Sequence, residues 1–168
     1  MLHYSLMPGF QKIIHKVSNH FMARIRIDLS QNFSFSCQIP IRITDINYGG
    51  HVGNDTMLSI IHEARMQFFN QLGYTEMNFT GVALIMSDAA IEFKNELFYG
   101  DMVIASVATG EISSIGFELI YKLEKVTGDS LKLVAAAKTG MICYDYTKKK
   151  IVALPEEARV KLVDNIVH

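Results

Sequence analysis

The sequence predicts an α+β domain in which a mostly antiparallel sheet wraps one long central helix. Three observations carry this. Residues 34–44 alternate Phe35, Cys37, Ile39, Ile41 and Ile43 with polar neighbours, the period-2 pattern of a half-buried strand. Residues 54–72 place Leu58, Ile61, Arg65, Phe68 and Leu72 at spacings of three and four, with Ile60, Ala64 and Phe69 beside them, which is the pattern of an amphipathic helix of about 18 residues. Four strand-like runs then follow, separated by tight turns, so hairpins and an antiparallel sheet are expected.

Each element has its own signals. Pro40 has no N–H to donate, so the first strand should run at a sheet edge or carry a bulge. Residues 47–53 hold Gly49, Gly50 and Gly53 and read as a loop. Asn54 or Asp55 suits the helix N-cap, and Gly73 suits the position after its end. The later strands fall at 82–97, 102–109, 117–124 and 131–143, the last with Leu131, Leu133, Ala135, Ala137, Thr139, Met141 and Cys143 on one face. Thr127, Gly128 and Asp129 supply a hairpin turn, and a short helix should begin at Pro155. Residues 1–21 carry Ile13, Ile14, Val17 and Phe21 at helical spacing, so they are expected to be a short amphipathic helix or an extension foreign to the domain. Residues 22–168 form the single domain.

Composition narrows the function. An apolar content of 49% with 20% charge over 168 residues fits one globular domain with a real core. The net charge of -1, with Lys148–Lys150 as the longest basic run, argues against a nucleic-acid partner. Cys37 and Cys143 make neither a disulfide framework nor a metal knuckle; both sit in strand-like contexts as small buried hydrophobes, consistent with a reducing, cytoplasmic setting. The stretch of about 20 apolar residues that a membrane-spanning helix requires is missing from the sequence.

The stretch from Arg42 to Asp55 concentrates the chemistry. It sets Asp45, Asn47, His51 and three glycines just ahead of a helix N-terminus, where unpaired N–H groups carry partial positive charge. Such amides can stabilise an oxyanion, glycines allow a carbonyl to approach the backbone, and a carboxylate opposite can activate water or attack directly.

These residues resemble the hot-dog thioesterase superfamily, specifically its 4-hydroxybenzoyl-CoA thioesterase-like acyl-CoA thioesterases. The family's Asp-x-Asp-x-x-Gly-His-Val-Asn-Asn loop appears as Asp45-Ile-Asn47-Tyr-Gly-Gly50-His51-Val52-Gly53-Asn54, followed by Glu63-Ala64-Arg65 on the helix. Ile91-Glu92-Phe93-Lys94 running into Phe98-Tyr99-Gly100-Asp101 resembles the family's strand and turn after the helix, so the resemblance covers roughly residues 34–160. It implies a hot-dog fold, hydrolysis of an acyl thioester carried on CoA or acyl carrier protein, no cofactor or metal, and a homodimer or dimer of dimers with sites shared between subunits. A non-catalytic acyl-thioester-binding protein and an acyl-thioester hydratase or dehydratase are the alternatives.

The carboxylate of the 4-hydroxybenzoyl-CoA branch would fall at Asn47, an amide that can neither attack nor take a proton. That leaves Asp45, or Glu63 on the helix as in another branch. Asp45 can act directly or cap the loop; Glu63 lies away from the apolar stripe, toward solvent or a dimer cleft. His51 can orient the carboxylate or bind the carbonyl. Asn47, Gly49, Gly50, Gly53 and Asn54 are the expected substrate contacts, although Asn54 also suits a plain N-cap. His62 is expected to pack inside, and Arg65 to pair with a buried carboxylate. Lys94, Lys122, Lys125 and Lys148–Lys150 are available to CoA phosphates, none with a specific assignment.

Overall fold

A computed structural model describes residues 24–29 and 32–165; the expectation of a helix within residues 1–21 lies outside them. β1 (Phe35–Pro40) leads through a 3-10 turn (Ile43–Asp45) and the glycine loop into α1 (Asn54–Gln71). β2 (Ala83–Phe93), β3 (Met102–Ile112), β4 (Gly116–Thr127), β5 (Ser130–Asp145) and the short β6 (Lys150–Ile151) follow, and α2 (Glu156–Val163) closes the described chain. The strands form one antiparallel sheet in the order β1-β3-β4-β5-β2, with β6 paired to β5. α1 packs against β1 and β3, giving the expected hot-dog arrangement of a sheet around one long helix.

The core lies between α1 and the sheet. Phe68 and Phe69, adjacent on α1 and fully buried, meet Phe35, Phe79 and Phe117 with ring centroids 5.4–6.2 Å apart. Each such ring removes a large apolar area from water, and edge-on contacts add about 0.5–1.5 kcal/mol per pair. The helix ends where Gly73 adopts φ +83°, a left-handed conformation suited to glycine.

β2 ends at Phe93 and not at residue 97, while β3 runs on to Ile112 and β4 to Thr127. Three further differences from the sequence reading have a local cause. β1 stops at Pro40, at an edge of the sheet, because the N–H groups beyond it are recruited elsewhere. Ile41 donates to the Asp101 carbonyl at 2.9 Å and Arg42 N–H to Asp45 Oδ2 at 2.7 Å, so the chain turns and Ile43 points outward. The helix N-cap is Gly53; Asn54 is the first helical residue, and no side chain caps the end. In β5 a bulge opposite Leu123 and Glu124 inserts Val134, which is buried, while Leu131 beyond it is exposed. The even alternation therefore holds only from Ala135 onward. The Val134 carbonyl accepts the N–H groups of Lys94 and Asn95 at 2.8 and 3.1 Å, anchoring the end of β2.

Candidate active site

The turn after β1 places Asp45 beside the middle of α1. The two carboxylates singled out in the sequence, Asp45 and Glu63, line one cavity of about 310 Å³, together with Gln38, Ile39, Pro40, Arg42, Ser59, Ile60 and Gln67. Their circumstances differ sharply.

Asp45 is buried and committed to Arg42. Oδ2 accepts the Arg42 backbone N–H at 2.7 Å and Nε at 3.3 Å, while Oδ1 accepts Nη2 at 3.2 Å. Burial works to raise the carboxyl, but the hydrogen bonds and charge of Arg42 outweigh it and hold Asp45 below the usual carboxylate range. Asp45 is thus a fully paired anion that fixes the turn.

Glu63 is exposed. Oε1 accepts Gln67 Nε2 at 2.7 Å, and Oε2 has no hydrogen-bond partner among the described residues. Its position over β1 shows in its neighbours. The Cys37 thiol is pushed up to about 11, first by burial and then by the charge of Glu63, and that charge also adds to the raised value of Arg42. A thiol so shifted is protonated at neutral pH and is no nucleophile.

The glycine loop is organised around Asn47. Asn47 Oδ1 accepts the Gly49 N–H at 2.8 Å, its carbonyl accepts the Gly50 N–H at 3.0 Å, and its own N–H donates to the His51 carbonyl at 2.9 Å. Gly50 takes φ +80°, which this tight turn requires. The amides of Gly49 and Gly50 are therefore consumed within the loop. Those of Gly53 and Asn54 are not: as N-cap and first helical residue they have no intrahelical acceptor and no side-chain cap. Gly53 is packed so closely that a Cβ there would stand 2.5 Å from Asp55 Oδ1 and 3.6 Å from Asn47 Nδ2.

This helix end opens into a second cavity of about 290 Å³, lined by His51, Val52, Asn54, Met57 and residues 93–97. His51 is partly exposed, and its Nδ1 lies 4.0 Å from Glu96 Oε1. The two cavities share no lining residue. Asn54 and Glu63 are nine residues apart on one helix, about 13 Å along its axis. Within one chain, then, the uncapped helix-end amides and the two carboxylates are separate.

Arg65 is buried and pairs with Glu76 at 2.6 Å, as its place in the apolar stripe demands. His62, expected to pack inside, is exposed and joins the same Glu76 at 3.2 Å, because α1 turns that edge toward the loop after Gly73. Lys94, Lys122, Lys125 and Lys148 each pair with a nearby acid. Ser59, Gln67 and Gln38 were missed in the sequence, although Ser59, Glu63 and Gln67 fall four residues apart, on one helical stripe.

The sheet wrapped around one long helix, with a cavity beside it lined by two carboxylates, makes the chain a hot-dog domain. A family model described as the thioesterase-like superfamily matches residues 41–162. The 1,4-dihydroxy-2-naphthoyl-CoA hydrolase of Microcystis aeruginosa (strain NIES-843 / IAM M-2473) is 32% identical over 122 residues, 71% of this chain and 86% of that protein. The fold matches a 1,4-dihydroxy-2-naphthoyl-CoA thioesterase from Synechocystis with TM-score 0.69 at 22% identity, covering 77% of this chain and 96% of that one. It also matches 4-hydroxybenzoyl-CoA thioesterase, solved with 4-hydroxybenzoyl-CoA, with TM-score 0.69 at 16% identity over 76% and 97% of the chains. The chain belongs to the thioesterase-like superfamily. Its activity is hydrolysis of an acyl-CoA thioester.

Proposed function

We propose that Glu63 is the hydrolytic carboxylate, and that the thioester carbonyl is held by the Gly53 and Asn54 amides with His51 at the edge of the site. The observation that carries this is the contrast within one cavity: both oxygens of Asp45 are occupied by Arg42, whereas Glu63 keeps Oε2 open. In the reaction Glu63 takes a proton from water as its oxygen bonds to the carbonyl carbon. The carbonyl oxygen gains negative charge against the helix-terminal amides. As the carbon–sulfur bond breaks, the sulfur leaves with the proton returned by Glu63, giving free acid and CoA thiol.

The separation of about 13 Å between the amides and Glu63 supports a homodimer in which each site takes its amides and His51 from one subunit and its carboxylate from the other. A dimer of dimers is compatible with the same pairing. Asp45 shapes the wall and Asn47 the loop, while Gly49 and Gly50 serve the turn. The cavity of about 310 Å³, mixed in polarity, suits a compact acyl group such as the 1,4-dihydroxy-2-naphthoyl group named for the relatives, carried on CoA and not on acyl carrier protein. The chemistry calls for no metal or redox cofactor, and among the described residues no helix is long and apolar enough to cross a membrane. The cytoplasm, where CoA thioesters are available, is the proposed compartment.

The test is release of free thiol from 1,4-dihydroxy-2-naphthoyl-, benzoyl-, hexanoyl- and palmitoyl-CoA. Glu63→Gln is expected to lower kcat by about 10²–10⁴-fold, the contribution typical of a general base. Asp45→Asn is expected to keep most turnover but melt earlier. Wild-type turnover in Glu63→Gln would overturn the assignment.

A further inference from the structure

We propose that Ser59, Glu63 and Gln67 act as one unit, in which Gln67 is the positioning residue for the carboxylate and Ser59 is the second holder of the attacking water. This rests on Glu63 as the base. The three residues stand four apart on α1, so their side chains line one stripe, and all three face the cavity that β1 closes with Gln38, Ile39 and Pro40.

The two ends of the stripe are chemically unequal. On the C-terminal side, Gln67 Nε2 donates to Glu63 Oε1 at 2.7 Å. A glutamate side chain left free would sample many rotamers; a half-buried amide donor restricts it and leaves Oε2 for another donor. On the N-terminal side, one turn away, stands the Ser59 hydroxyl, which makes no hydrogen bond to another described residue. A rise of about 6 Å separates the two positions, a span that one water bridges when it donates to Oε2 and is held by the hydroxyl. Asp45 in the same wall is neutralised by Arg42, so the stripe faces no free anion there.

A role confined to helix stability would look different, because a Glu–Gln pair at this spacing contributes little to a helix already packed into a core. The experiment compares Gln67→Met, which keeps shape without a donor, with Gln67→Lys, which keeps a donor, and Ser59→Ala with Ser59→Thr. Each full-length variant is assayed on the four acyl-CoAs above, using the one the wild type cleaves fastest. Gln67→Met and Ser59→Ala should each lose about tenfold in kcat with KM within about twofold, and the donor-retaining variants should recover most of it. Gln67→Glu should move the acid limb of the kcat/KM profile upward by roughly half to one pH unit, since a second carboxylate opposes ionisation of the first. Equal kcat in Gln67→Met and Gln67→Lys, or an unmoved acid limb in Gln67→Glu, overturns the proposal. Glu63→Gln run alongside separates the two levels: if it retains turnover, the base assignment fails; if it is inactive while the flanking variants are unaffected, only the unit fails.

Discussion

Asp45 shows how one residue type serves two trades. Its depressed carboxyl is a stability statement: the charged form is favoured in the folded state, so the contribution is full above the usual carboxylate range and disappears as pH falls through the folded value. Asp45→Asn should therefore lower Tm at neutral pH, by a destabilisation of about 1–2 kcal/mol, and flatten the acid side of the stability curve; thermal melts between pH 3 and 7 check it. The spacing Arg42-x-x-Asp45 was visible in the sequence, but the choice between cap and base was not, because it depends on a turn formed only when β1 ends at Pro40. Arg65 was more legible. A cation inside an apolar stripe demands an acid, although nothing local pointed to Glu76, eleven residues on. Removing that acid leaves the guanidinium buried and unpaired, so Glu76→Gln should cost about 3–5 kcal/mol, measured by denaturant unfolding, whereas Arg65→Met should cost less.

Among the elements, α1 was the clearest from sequence, since its 18 residues keep one period and end in a glycine with a defined stereochemical role. The hairpin β4–β5 was nearly as plain: Thr127 pairs with Ser130 and Gly128 takes positive φ in the two-residue loop between them. The bulge at Val134 was not, because the extra residue answers to the Lys94 and Asn95 N–H groups of a distant strand. At the start of β4, Gly116 is buried against the Met141 carbonyl, and a Cβ would stand 2.0 Å from that oxygen. Backbone cannot yield as a side-chain tip can, so Gly116→Ala should destabilise by about 2–3 kcal/mol and register as a reduced urea midpoint with little change in slope. Gly53→Ala meets only the mobile end of Asp55; its penalty should fall on kcat instead, by crowding the helix-terminal amides.

For the whole molecule, the fold was readable because local period, turns and hairpin order all agree, while the site was readable only as a neighbourhood. Residues close in sequence, such as Asp45 and His51, line different cavities, and residues 18 apart, Asp45 and Glu63, share one. That division has a consequence for mixed populations of subunits. In the proposed two-fold dimer, a subunit carrying His51→Ala and one carrying Glu63→Gln are each poor as homodimers, yet their heterodimer assembles one site with both lesions and one with neither. Random reassortment of equal amounts makes half the dimers mixed, so about a quarter of wild-type sites should reappear after refolding the two inactive proteins together. Refolding them separately and then combining them without exchange should restore nothing, which makes recovered turnover a clock for subunit exchange.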